Sequence, residues 1–123
     1  MATVEEVVRA CYQAYADKDR AAIEALIAPA FSFTSPLDNR IGRQRYFELC
    51  WPNSEHQRAI HIQRLFVQGN EAFVLYEGEG MDGSGFRNTE FFVVEDGQIT
   101  QVEVYFGWDL PHKAALGEHQ AAD

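Results

Sequence analysis

Phe86-Arg87-Asn88-Thr89-Glu90-Phe91-Phe92-Val93-Val94, an Asp96-Gly97 turn, and Ile99-Thr100-Gln101-Val102-Glu103-Val104-Tyr105-Phe106 form the stretch that decides the fold. Two β-branched and aromatic runs around an Asp-Gly dipeptide read as one long β-hairpin. Each arm carries a carboxylate in an otherwise apolar setting, Glu90 on the first and Glu103 on the second. A carboxylate buried in a sheet without a partner is costly, so at least one of the two is expected to line a cavity or to meet a partner. The turn decides which. If Asp96-Gly97 belongs to a type I turn with a Gly bulge, Val94 pairs with Gln98, and Glu90 shares a face with Phe92, Val94, Val102, Val104 and Phe106. If the loop has two residues, Glu90 pairs directly with Glu103 and both share a face. We take the first arrangement as the expectation; it turns Glu103 and Tyr105 to the other side of the sheet.

Upstream, the period changes from strand to helix. Thr3 and Glu6 make a capping box, and Val4, Val7, Val8, Cys11, Tyr12 and Tyr15 recur at helical spacing. Asp19 is placed to cap a short second helix carrying Ile23, Leu26 and Ile27, ended by Pro29. Phe31 to Ser35 alternates as a short strand closed by Pro36, and Leu37 to Ile41 reads as a loop. A third helix follows from Gly42, with Phe47, Leu49, Cys50 and Trp51 as its apolar side, then a polar loop over 53–58. Ile60 to Val67 and Ala72 to Glu77 are two strands about Gly69-Asn70. Helices first, then an antiparallel meander, gives an α+β domain with helices on one face of a curved sheet. The 123 residues form one domain, an ordered core over about 1–110 and a tail over 111–123.

The chain is 46% hydrophobic and 13% aromatic, enough for a real core, and its net charge of −9 opposes nucleic acid or an anionic membrane as partner. Arg40, Arg43 and Arg45 are the densest basic group and read as a solvated loop and helix start. Cys11 and Cys50 lack metal or redox spacing and read as reduced thiols in a cytoplasmic protein. No signal peptide is visible in Met1 to Glu6, and no apolar run is long enough to span a bilayer. The four histidines are scattered without ligand spacing, and no Gly-rich phosphate loop precedes a helix, so neither a metal nor a nucleotide cofactor is expected.

The order of elements resembles the nuclear transport factor 2-like superfamily, whose cone-shaped fold is shared by ketosteroid isomerases, limonene epoxide hydrolases and SnoaL-like polyketide cyclases. The likeness is carried by Tyr15-Ala16-Asp17-Lys18-Asp19, Ile23-x-x-Leu26-Ile27, Phe31 to Pro36, the Gly42 to Phe47 helix, and the hairpin from Asn88 to Gly107. It implies a curved sheet wrapped around the N-terminal helices and a small-molecule pocket lined by Tyr12, Ser35, Trp51, Asn88, Phe92, Val102, Val104 and Phe106. It also implies a homodimer through the open sheet face, where Phe91, Val93 and Tyr105 stand. The isomerases' general-base aspartate falls at Ser35, which cannot abstract a carbon-bound proton near neutral pH. Their oxyanion tyrosine falls at or beside Cys11, with Tyr12 and Tyr15 as substitutes, and their protonated oxyanion aspartate falls near Glu90. The epoxide hydrolases' last-strand carboxylate falls at Val104.

The expected site is therefore Glu90 as acid or oxyanion donor, Tyr15 or Tyr12 as second donor, and Asp38 as the carboxylate nearest the missing base. Each has a bland counterpart: Glu90 ion-paired with Arg87 or Arg64, Asp38 as a turn former, Trp51 as core. His61 reads as a structural or interface residue, with general base as its alternative, and His56 as a surface residue of the loop. The resemblance implies a SnoaL-like protein doing acid–base chemistry, of isomerase, cyclase or hydrolase type, on a largely apolar carbonyl-bearing or polycyclic compound. The alternative is a non-catalytic binding or dimerisation module, because one fold hosts many functions.

Overall fold

The structure, a computed structural model, describes residues 2–121. Helix α1 (Val4–Asp17) opens on the expected capping box: Thr3 Oγ1 accepts from Glu6 N and Glu6 Oε1 accepts from Thr3 N. Its apolar face buries Val7, Val8, Cys11, Tyr12 and Ala14. It closes on Lys18 in the left-handed region, and Asp19 caps α2 (Arg20–Leu26) by accepting from Ala22 N.

Six strands follow: β1 (Ile27–Ser35), β2 (Asp38–Gly42), β3 (Gln57–Gln68), β4 (Glu71–Gly80), β5 (Gly85–Glu95) and β6 (Gln98–Leu110). They form one sheet in the order β2-β1-β6-β5-β4-β3, antiparallel throughout except for the parallel pairing of β1 with β6. Register shifts in four of the five pairings bend and twist the strands. The sheet curls but does not close. Helix α3 (Arg43–Leu49) and a 3-10 turn (Trp51–His56) separate β2 from β3. The helices pack into the concavity, where Val74, Phe92, Val94, Ile99 and Val102 of the sheet are all buried with α1 and Ile23 of α2.

Several boundaries differ from the sequence reading. Leu37 to Ile41 is largely a strand: β2 pairs with β1 from Asp38 onward. It lies at the sheet edge, so Asp38, Asn39 and Arg40 show no buried alternation to mark it. Pro29 lies inside β1, in the stretch where the β1–β6 ladder is interrupted between Ile27 and Ser32, and the helix has already ended at Leu26. In α3 the buried pair is Tyr46 and Phe47, whereas Leu49 is exposed. The polar stretch after Pro52 is the 3-10 turn, and β3 starts at Gln57. Beyond Leu110, residues 111–121 carry no helix or strand; the last two residues of the expected tail, 122–123, lie outside the described residues.

Candidate functional site

The hairpin register places Glu90. Asp96 and Gly97 both have positive φ (51° and 78°), a two-residue turn of type I′ that pairs Glu95 with Gln98 and Val94 with Ile99. That register alone would set Glu90 against Glu103. A bulge intervenes: Val93 pairs with Gln101, leaving Thr100 as the extra residue, its Oγ1 donating to Val93 O at 3.3 Å. Phe92 then faces Val102 and Glu90 faces Val104. The turn is thus the two-residue kind, but the face expected for Glu90 is the one it occupies. Glu103 lies on the opposite side, accepting from Gln101 Nε2 at 2.8 Å and from the Tyr105 hydroxyl.

Glu90 forms part of the wall of a cavity of about 210 Å³ between the helices and the concave sheet. Helix α1 contributes Cys11, Tyr12 and Tyr15; α3 contributes Tyr46; the sheet adds Tyr76, Asn88, Phe92, Val102 and Val104. At the mouth stand Ser35, Asp38, Cys50 and the exposed Leu37 and Phe106. Neither expected counterion reaches Glu90: Arg87 pairs with Glu77, and Arg64 donates to Gln63 O. Burial pushes the Glu90 carboxyl up to about 7 from an ordinary value of 4.5, a rise that the nearby Tyr76 and Tyr12 hydroxyls oppose. Its accessible surface is turned into the cavity, so the residue counts as half-buried while protein packs densely around the carboxyl.

The hydroxyls beside it are held in place by packing. Tyr12 packs against Tyr76 in a tilted arrangement (5.2 Å between centroids) and edge-to-face against Phe92 (5.9 Å). Although its hydroxyl faces Glu90 closely enough to oppose the shift, Tyr12 Oη is buried and completes no hydrogen bond within 3.5 Å. A buried donor without a partner is an available one. Tyr76 Oη accepts from Asn88 Nδ2 at 3.4 Å, and Asn88 Oδ1 accepts from Gly107 N at 3.1 Å, which fixes the amide and leaves the Tyr76 proton for the carboxyl side. Gly107 sits at a second bulge, where a Cβ would fall 2.0 Å from Arg87 O; only glycine lets the strands approach so closely. The Tyr15 and Tyr46 hydroxyls bond each other, and burial holds all four phenols well above their ordinary pKa.

At the mouth, Ser35 Oγ donates to Asp38 Oδ2 at 2.7 Å and accepts from Leu37 N at 3.0 Å, which ties the carboxylate to the β1–β2 turn. Cys50 Sγ lies 4.0 Å from the same oxygen, and burial together with Asp38 pushes its thiol up to about 11. Both cysteines are free; neither is activated as a thiolate. Among the described residues, no group of three His, Cys, Asp or Glu could hold a metal ion, and no helix is long and apolar enough to cross a membrane.

The cavity brings together Glu90, Tyr12, Tyr15, Asp38, Ser35, Asn88, Phe92, Val102, Val104 and Phe106. Trp51 is the exception. It is buried behind Tyr15, with ring centroids 4.8 Å apart, and packs against that tyrosine instead of lining the space. His61 is exposed on β3 near Glu79, and His56 is exposed in the 3-10 turn. Sequence reasoning missed Tyr46 and Tyr76. The second was within reach: Ala72, Val74 and Tyr76 alternate on one face of β4.

This is the nuclear transport factor 2-like α+β architecture, a curved mixed sheet holding three helices. The SnoaL-like domain profile matches residues 8–102, and the chain belongs to that family. Solved structures agree on the fold. An NTF2-like protein of unknown function from Cytophaga hutchinsonii is 22% identical, with TM-score 0.72 over 87% of this chain and 92% of that one. An LEH-like epoxide hydrolase from M. tuberculosis is 21% identical, with TM-score 0.73 over 85% and 82%. A candidate polyketide cyclase from Pseudomonas putida is 18% identical, with TM-score 0.69 over 87% and 93%. No curated protein matches the sequence.

Proposed function

We propose that the chain is a SnoaL-like small-molecule-binding protein that performs acid–base chemistry on a small, largely apolar, carbonyl-bearing compound. The observation that carries this reading is the Glu90 carboxyl, held up to about 7 inside the cavity, beside a Tyr12 hydroxyl with no partner. A carboxylic acid kept neutral near pH 7 can donate a hydrogen bond, and two donors aimed at one carbonyl oxygen stabilise the negative charge that develops there. Deprotonation next to that carbonyl then needs a base. Asp38, on the same cavity and oriented by Ser35, is the carboxylate available for it. The role of Tyr15 is secondary, since its hydroxyl is already engaged with Tyr46.

The reaction types that fit are isomerisation, cyclisation and related hydrolysis; the relatives of this fold named above as an epoxide hydrolase and a candidate cyclase are consistent with that range. A competing reading is a binding module without turnover, favoured by Ser35 standing where the isomerases keep their base.

The test is exchange of α-protons of a small ketone such as acetophenone's methyl group, followed by NMR in deuterated water. Wild-type protein is expected to accelerate exchange. Asp38→Asn should remove the acceleration while leaving ketone binding intact, and Glu90→Leu should weaken both. Ketone binding without exchange by the wild type would support the binding module.

A further inference from the structure

The lining of the cavity carries a charge pattern that carbonyl chemistry does not require. Four tyrosines and four phenylalanines surround it, two carboxyl groups open into it, and among the described residues no lysine, arginine or histidine lines it. The basic groups nearby are turned to other partners: Arg87 to Glu77, Arg64 to a backbone carbonyl, and Lys18 to the carbonyl of Gln57 at the rim, 2.8 Å away. An enclosed aromatic wall with an uncompensated carboxyl is the chemistry that recognises organic ammonium ions, through ring quadrupoles and a counter-charge together. We propose that the cavity also binds an organic ammonium ion with an apolar body, with Glu90 as its counterion, and that it rejects anions of the same shape.

Binding moves a proton. In the empty cavity Glu90 is a neutral acid at mildly acidic pH; a cation in van der Waals contact stabilises the carboxylate, and the carboxyl proton passes to solvent. The other titratable groups around Glu90 do not compete for that role. Cys11, Tyr12 and Tyr15 on α1, Tyr46 on α3 and Tyr76 on β4 are all held neutral by burial. Asp38 stands at the mouth, hydrogen-bonded to Ser35. The dependence on pH is opposite to that of a neutral ketone, which needs the protonated acid. The two ligand classes are therefore separable by experiment, and either can fail alone.

The probe is benzyltrimethylammonium, which is permanently charged and does not itself titrate, compared with its uncharged carbon isostere neopentylbenzene and with phenylacetate. With Glu90 near pH 7, the ionised fraction rises about tenfold between pH 6 and pH 8, so the affinity for the ammonium ion should rise about tenfold while that for neopentylbenzene stays flat. Calorimetry in two buffers of different ionisation enthalpy should read close to one proton released per ion bound at pH 6 and almost none at pH 8. Phenylacetate should bind at least about tenfold more weakly than the ammonium ion at pH 8. Glu90→Gln should abolish both the pH slope and the proton release, and Asp38→Asn should keep them. A flat pH profile, equal slopes for ammonium and isostere, or phenylacetate binding as well as the cation would overturn the proposal. So would a slope that survives Glu90→Gln. If Glu90→Gln fails to fold, the proton count of the wild type decides alone.

Discussion

Replacing Glu90 by glutamine should change how stability depends on pH, and by an amount the structure sets. The carboxyl is raised to about 7 in the folded protein, from an ordinary value of 4.5. The folded state therefore holds this proton more tightly than the unfolded chain does. The sign follows: between the two values the native state binds more protons, so stability falls as pH rises, by about 1.4 kcal/mol per pH unit at most. The full contribution is about 3.4 kcal/mol, present below pH 4.5 and gone above pH 7; between pH 5 and pH 8 about 2.5 kcal/mol of it is lost. Glutamine keeps the shape and a donor but has no proton to lose.

The assay is urea unfolding of wild type and Glu90→Gln at pH 5, 6, 7 and 8. The four histidines and the surface carboxylates are common to both proteins and cancel in the difference. Wild type minus variant should become less favourable to the wild type by about 2.5 kcal/mol from pH 5 to pH 8, with most of the change between pH 5 and 7. A difference constant to within about 0.5 kcal/mol would mean that Glu90 ionises normally in the fold. The acid-donor role in the proposed mechanism would then have no support, and the polar anchor would have to be sought among Tyr12 and Asp38.

Three further outcomes are expected. The outer face of the sheet sets Phe66, Phe73 and Phe91 side by side across β3, β4 and β5, with Phe66 and Phe73 at least half exposed, so the protein should sediment as a homodimer and Phe73→Glu should make it monomeric; a wild type found only at 14.0 kDa removes the idea. Gly107→Ala must push the β5–β6 bulge apart, and should cost about 1–3 kcal/mol in chemical unfolding and release the Asn88 amide from its backbone donor, visible as a shifted Asn88 side-chain NMR resonance. Ile23→Ala, at a fully buried site away from the cavity, should cost about 2–5 kcal/mol without altering ligand affinity; unchanged stability would show that α2 is not anchored as described.

The parts of the fold that could be read from the chain are those in which local chemistry and burial agree. Thr3 with Glu6, and Asp19, mark helix starts because a capping side chain satisfies backbone donors wherever the helix packs. β2 was missed because an edge strand buries too little to pattern its residues, and the parallel joining of β1 to β6 because pairing between distant segments leaves no local signature. At the site, α1 showed its tyrosines by helical period, whereas Tyr46 hid beside Phe47 on a helix of only seven residues. Trp51, at the end of an amphipathic helix, reads equally as a cavity wall or as core, and its packing against Tyr15 makes it core.

The register of the last hairpin shows how much can rest on one extra residue. A type I′ turn over Asp96-Gly97 by itself would set two glutamates, Glu90 and Glu103, on one face and turn Val102 and Val104 to the other. Two hairpin carboxyls in that concavity, with no lysine, arginine or histidine lining it among the described residues, would each need desolvation and would repel each other once ionised. The Thr100 bulge removes that conflict: it restores Val102 and Val104 to the core side, sends Glu103 out to Gln101 and Tyr105, and leaves one of the hairpin's two carboxyls facing the cavity. The chain does carry the mark of it. Ile99 and Val102 are both buried yet stand three apart, with Thr100 and Gln101 in succession between them, which a strand without a bulge does not allow. The break in alternation that looks like a weakness in the hydrophobic pattern is thus the feature that turns Glu90 alone of the hairpin's two glutamates toward the cavity, and the chemistry proposed for it follows from that placement.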